Sequence, residues 1–325
     1  MKFRNLLIPL ALCLLLAACA PAESPEAPGG MEPPAADLPG GEAPPSLAED
    51  EEPAVLTCRI VDGAEDGDLL LAELGEVLHG GTGVYRLNLE RGGLEETLTY
   101  NSIPGIPAGK AEPAAVPVRL DGEEADASVL EDGMVVDVAF NGSVLESFPA
   151  QFGEVCSLSA WTQGRGRTPA DLCGLYLQVL DDLWEKDKGL NEDIAIAGLD
   201  LSRAPGELAE SEKAALAWRF GELHGVEVVT GTFEELREQG YFTAESLGEE
   251  APEGAAFLHW EDGCFFKIEP NEDHEDEVYS TWSVLFFNAE KWRSSLGAYT
   301  FYDCSAMWPQ GGTWTGYQIG SEMIS

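Results

Sequence analysis

Val135-Val136-Asp137-Val138-Ala139-Phe140-Asn141-Gly142-Ser143-Val144-Leu145-Glu146-Ser147 is the stretch that says most about the chain's architecture. Apolar and polar side chains alternate through 135–140, which is the period of a strand with one buried face. Asn141-Gly142 supplies residues that tolerate positive φ, so a β-hairpin is expected over 135–147. Leu130-Glu131-Asp132-Gly133 reads as the turn leading in. Farther out, short apolar runs punctuated by Gly, Asp and Pro recur at 56–61, 68–72, 84–89, 116–120 and 155–160. This is the rhythm of strands and tight turns, and it predicts a small β-barrel domain over residues 55–162.

Beyond 162 the period changes. Thr168-Pro169-Ala170-Asp171 reads as a helix start, with a hydroxyl cap, Pro at the first helical position and an acid three residues after the cap. Leu172, Leu175, Tyr176, Val179, Leu180, Leu183 and Trp184 follow at three- and four-residue steps and form one apolar stripe. A second helix is expected over 210–224, with Leu216, Phe220 and Leu223 on one side beside Trp218 and Gly225 as its stop. Thr232-Phe233-Glu234-Glu235 has the pattern of a capping box and opens a third helix. Short extended pieces are expected at 194–199 and 226–230. From Ala255 the pattern alternates again, with Glu261-Asp262-Gly263 read as a hairpin turn between 256–260 and 264–269 and further strands at 278–287, 298–307 and 313–319. The expected class is mainly β plus α+β: a barrel, then a domain over 163–325 with an antiparallel sheet and two to three helices.

The 325 residues carry 59 acidic and 18 basic side chains, a formal charge of −41. Phosphate backbones require clustered Lys and Arg, so nucleic acid is excluded as a partner. The hydrophobic share of 44% is that of a chain able to bury a core.

Lys2 and Arg4 precede the apolar run Leu6–Leu16, too short for a membrane span and right for a signal-peptide core. The run stops at Leu16-Ala17-Ala18-Cys19, which resembles the bacterial lipobox. That resemblance implies removal of residues 1–18 and a diacylglyceryl group on the Cys19 sulfur, hence a membrane-anchored, extracellular lipoprotein on the outer face of the cell membrane. Residues 19–54 are rich in Pro, Ala, Glu and Gly and contain Glu49-Asp50-Glu51-Glu52, so they read as a disordered, self-repelling acidic linker.

Thr57-Cys58-Arg59-Ile60-Val61, Leu69-Leu70-Leu71, Val84-Tyr85 and the segment from Asp132-Gly133 to Glu146-Ser147-Phe148-Pro149-Ala150-Gln151 together resemble the OB-like domain of the YobA-like lipoproteins of Gram-positive bacteria. The resemblance implies an OB-like barrel and no particular activity, because that family's function is unknown.

Candidate sites are few. Cys58 and Cys156 fall on the first and last barrel strands, and Cys264 and Cys304 on strands of the second sheet; either pair is a possible disulfide outside the cell, with free buried thiols the competing expectation and Cys173 left over. No Cys or His spacing suits a metal site, and no cofactor motif is present. The acidic run Glu269–Glu277 lacks the spaced ligands of a calcium loop and reads as solvated charge. Lys291-Trp292-Arg293 is a basic spot beside an aromatic, a place for a carboxylate or glycan ligand, or else a strand-end anchor. His224 is expected to cap a helix end. The expected function is a ligand- or protein-binding envelope module whose partner is an envelope protein or glycan. The alternative is a surface hydrolase using Asp303, Glu269 or His259.

Overall fold

Residues 135–140 do form a strand, but its neighbours are not those named by the turn signal. The computed structural model describes residues 52–75, 77, 81–92, 115–162, 171–246, 256–274, 283–308 and 314–325. The expectations for residues 1–18, Cys19, the linker up to residue 51, Thr168–Ala170, Glu275–Glu277, the strand start at 278–282 and the turn at 309–312 lie outside them.

The first sheet contains β1 (Ala54–Asp62), β2 (Asp68–Glu73), β3 (Val84–Asn88), β4 (Val118–Leu120), β5 (Glu123–Ala125), β6 (Val135–Phe140), β7 (Val144–Leu145), β8 (Ala150–Phe152) and β9 (Val155–Ala160), in the order β5-β4-β9-β6-β1-β2-β3-β8-β7. β6 pairs with β1 on one edge, Cys58 opposite Val136, and with β9 on the other, Val138 opposite Leu158. Both edges of β6 are therefore occupied, and β7 pairs instead with β8, Val144 opposite Phe152. The expected 135–147 hairpin is thus corrected to a corner. Gly142 has φ 80° while Asn141 does not enter the positive region, and the Asn141 Oδ1 accepts from Ser143 N at 3.1 Å and Ser143 Oγ at 2.7 Å. That is an Asx turn, which bends a chain without returning it to its own partner.

A closed barrel is also corrected: the end strands β5 and β7 do not pair, so the sheet is open. One of its faces surrounds Leu56, Ile60, Leu69, Leu71, Phe140 and Leu158. The opposite face contributes Val61, Leu70, Ala72 and Val84 to a second core. Leu69-Leu70-Leu71 therefore reads as a continuous apolar run because β2 is covered on both faces.

The second sheet is built from β10 (Ile196–Asp200), β11 (Glu227–Thr230), β12 (Thr243–Ser246), β13 (Ala256–His259), β14 (Gly263–Pro270), β15 (Ser283–Ser294), β16 (Gly297–Trp308), β17 (Thr315–Gln318) and β18 (Ser321–Ile324). An all-antiparallel sheet was expected, but β10 runs parallel to both β11 and β14. The reason is the helix between β10 and β11, since a crossover of that length returns the chain in the same direction. The Glu261–Gly263 hairpin is corrected as well. β16 covers one edge of β15, so β13, at His259 opposite Ser294, and β14, at Phe265 opposite Trp292, share the other edge. They are two pieces of one interrupted strand rather than a pair.

Three helices are described: α1 (Leu172–Glu185), α2 (Glu210–His224) and α3 (Phe233–Glu238). The α1 stripe is buried as its spacing requires. Its cap is Asp171, whose Oδ1 accepts from Gly174 N at 3.2 Å, three residues later than the Thr168 expectation. α1 and α2 lie between the two sheets: Tyr176, Leu180, Leu216 and Phe220 meet Val61 and Leu70 from the first sheet and Phe266, Phe287 and Phe301 from the second. α3 opens with the expected capping box, Thr232 Oγ accepting from Glu235 N at 3.2 Å and the Glu235 carboxylate accepting from Thr232 N at 2.8 Å. The coarse class, mainly β with an α+β part, describes the result.

Candidate functional site

The side of α2 turned away from Leu216 and Phe220 carries Glu210, Lys213, Ala214, Ala217, Trp218, Gly221 and Glu222. These residues recur at three- and four-residue steps and so make one continuous wall. It borders a groove of about 750 Å³. The wall from Glu210 to Glu222 is about 18 Å long at the helical rise per residue. Opposite it run Val226 and Val228 at the edge strand β11, then Thr230-Gly231-Thr232, with Leu199 and Leu201 from the end of β10. The first sheet contributes Phe148, 55% exposed, and Thr82. Groove and fold are linked through Gly221. A Cβ there would come within 2.8 Å of the Val226 carbonyl oxygen and 3.1 Å of Val228 Cγ2, so only glycine lets α2 approach β11 this closely.

The rim is acidic. Among the described residues the lining holds Asp200, Glu210, Glu222, Glu227 and Glu235 against Lys213, whose ammonium lies 2.8 Å from Glu210. Hydrogen bonds from the Thr232 backbone and hydroxyl hold the Glu235 carboxyl below the ordinary glutamate range, so it remains an anion. Asp200 Oδ1 accepts from Ser202 N at 2.9 Å and Ser202 Oγ at 2.6 Å.

The basic spot turns inward. Lys291 is fully buried, and its Nζ donates to the carbonyl oxygens of Trp184 and Asp187, each at 3.3 Å, to that of Lys186, and to Asn191 Oδ1 at 2.8 Å. Burial pulls its ammonium down to about 8. Arg293 donates to the carbonyl oxygens of Leu190, Glu192 and Glu261, the last at 2.8 Å across the interruption between β13 and β14. Trp292 packs edge-on against Phe233 and Phe242. In place of a carboxylate or glycan, this spot holds main-chain carbonyls. The physical reason is the C-terminus of α1, whose unpaired carbonyl groups demand donors.

Cys58, Cys156, Cys173, Cys264 and Cys304 are all free thiols. Burial pushes the Cys264 and Cys304 thiols up to about 12, so neither is a nucleophile at neutral pH. The carboxylates and imidazole considered for hydrolysis do not line the groove. Glu269 lies 3.0 Å from the Lys267 ammonium. Asp303 accepts from Asn271 Nδ2 at 2.7 Å, at a strand irregularity where its φ is 52°. His259 lies on β13, its ring beside Phe257. Among the described residues no group of His, Cys, Asp and Glu has a metal-binding arrangement, and no helix is long and apolar enough to cross a membrane.

His224 stacks on Trp184 with ring centroids 4.1 Å apart, and burial lowers its pKa even though Asp181 and Glu185 oppose the shift. The folded protein thus takes up its proton at lower pH than the unfolded chain. This contribution to stability is complete above the unfolded histidine value, about 6.5, and is lost as the pH falls toward the folded value. In urea titrations at pH 7 and pH 5.5, the parent is expected to lose more stability on acidification than His224→Phe; equal losses would refute the assignment.

The sequence reading missed Trp218 and Phe148 as site residues and placed Leu223 on the buried side, whereas Leu223 is exposed. Small residues at 214, 217 and 221 on one face of α2 were the available signal, legible only once β11 was known to lie beside them. No family model, curated protein or solved structure matches this chain.

Proposed function

We propose that this protein is a lipid-anchored extracytoplasmic binding module, tethered through Cys19 by its acidic linker, with the groove between α2 and β11 as its recognition site. The groove carries the binding reading: it is large enough for a ligand, acidic at its rim and apolar at its floor, where Leu199, Ala217 and Val228 lie. Among the described residues its lining offers carboxylates and hydroxyls beside apolar side chains, a composition suited to holding a ligand. The separate core of the first sheet around Leu69, Leu71 and Phe140 is compatible with the OB-like reading, while the likeness to YobA-like lipoproteins rests on the sequence segments 57–61 and 132–151 alone.

Cells fed radiolabelled palmitate test the anchor. The parent is expected to be labelled and to sediment with membranes, and Cys19→Ser to be unlabelled and released to the medium. Identical labelling and fractionation of the two would overturn the anchored reading.

A further inference from the structure

β11 is the end strand of its sheet, and among the described residues no strand pairs with its outer side. Glu227 N donates to the carbonyl of Ala195 and Gly231 N to that of Leu199, so odd-numbered residues face β10. Backbone groups alternate sides along a strand, which turns the N–H and C=O of Val228 and Thr230 outward. These two residues also line the groove. An unpaired strand edge therefore runs beside a cavity with an apolar floor.

From this arrangement we propose that the groove takes a basic peptide segment in extended form, which pairs with β11 at Val228 and Thr230. The inference rests on the groove being the recognition site, and it adds the class of partner. Main-chain hydrogen bonds supply the pairing, and alternate side chains of the guest point into and out of the cavity. The side chains pointing in meet Trp218, Phe148 and Val228 and must be apolar. Those flanking the groove meet Glu210, Glu222 and Glu227, and favour lysine or arginine. The charge of −41 on the whole chain attracts such a segment from a distance and repels an acidic one.

A blocked heptapeptide alternating lysine and valine is the probe, titrated into the secreted Cys19→Ser chain at low salt while Trp218 emission and amide exchange are followed. The expected result is saturable binding with slowed exchange at Val228 and Thr230. Changing Glu222 and Glu227 together to Gln should weaken it about tenfold or more, the loss of a modest pair of charge contacts. A copy N-methylated at alternate amides should not bind. Equal binding of a glutamate–valine peptide, or undiminished binding of the methylated copy, overturns the peptide inference. If cell-wall glycan fragments shift Trp218 while the basic peptide does not, the inference falls and the recognition site stands. If basic peptide, acidic peptide and glycan all leave the groove amides and Trp218 unchanged, both fall.

Discussion

Arg59→Met is expected to lower the free energy of unfolding by about 3–5 kcal/mol, the range for removing one partner of a buried ion pair. Arg59 is fully buried on β1, yet its side chain leaves the first sheet, donating from Nε to Glu212 Oε1 at 2.6 Å on α2 and from Nη1 to the Gly133 carbonyl at 2.8 Å. The second oxygen of Glu212 accepts from Ala209 N at 2.8 Å. Ala209 has no side-chain oxygen, so this is only the return half of a capping box, and Glu212 must both start the helix and neutralise the guanidinium. Buried carboxylates gather here: Asp171 is nearby, and burial raises its pKa against the opposing pull of Arg59. Without the guanidinium, Glu212 and Asp171 stay buried with one fewer counter-charge. Paired replacement, Arg59→Met with Glu212→Leu, should recover most of the loss, because the desolvation cost disappears with both charges. Urea unfolding of the two single variants and the pair measures this; a loss below about 1 kcal/mol for Arg59→Met, as for a surface pair, would sink it.

Lys291→Met should cost about 3 kcal/mol, because buried carbonyl groups that lose their donor each forfeit about 1–3 kcal/mol. The ammonium at the end of α1 holds three carbonyl oxygens and Asn191, where Asp187 turns the chain with a φ of 38°. A methionine of similar length keeps the volume and removes every donor. Lys291→Arg should not restore stability, since the planar guanidinium cannot occupy a site shaped for a compact ammonium. Limited proteolysis should then cut within 186–192, where the parent resists. If Lys291→Met unfolds with the parent and resists cleavage equally, the ammonium does not anchor this loop.

Much of the secondary structure was legible in the residues themselves. The stripe from Leu172 to Leu183, the capping box at Thr232 and the strand at 135–140 rest on periodicity or on bonds spanning three or four residues, and the short apolar run expected at 194–199 marks a strand found at 196–200, so local chemistry suffices. Partner choice was not legible. Asn141-Gly142 and Glu261-Asp262-Gly263 both mark bends, but β6 was already flanked by β1 and β9, and β15 took both β13 and β14 on one edge. A turn residue senses its own φ, not the competition among distant strands for the same edge.

The candidate site divides along the same line. Lys291-Trp292-Arg293 drew attention because charge is conspicuous in an acidic chain, but only folding brings the open end of α1 within reach of the ammonium. The groove needs Phe148 from the first sheet, Trp218 from α2 and Val228 from β11, residues far apart along the chain. The amino-acid order alone therefore determined which segments are helical or extended to within a few residues, which faces are apolar, and how acidic the chain is, since each depends on neighbours within a few positions. Strand pairing, the burial of Arg59 and Lys291, and the existence of the groove were decided by the tertiary structure, because each is a competition for space and hydrogen-bonding partners among segments that meet only when the chain has folded.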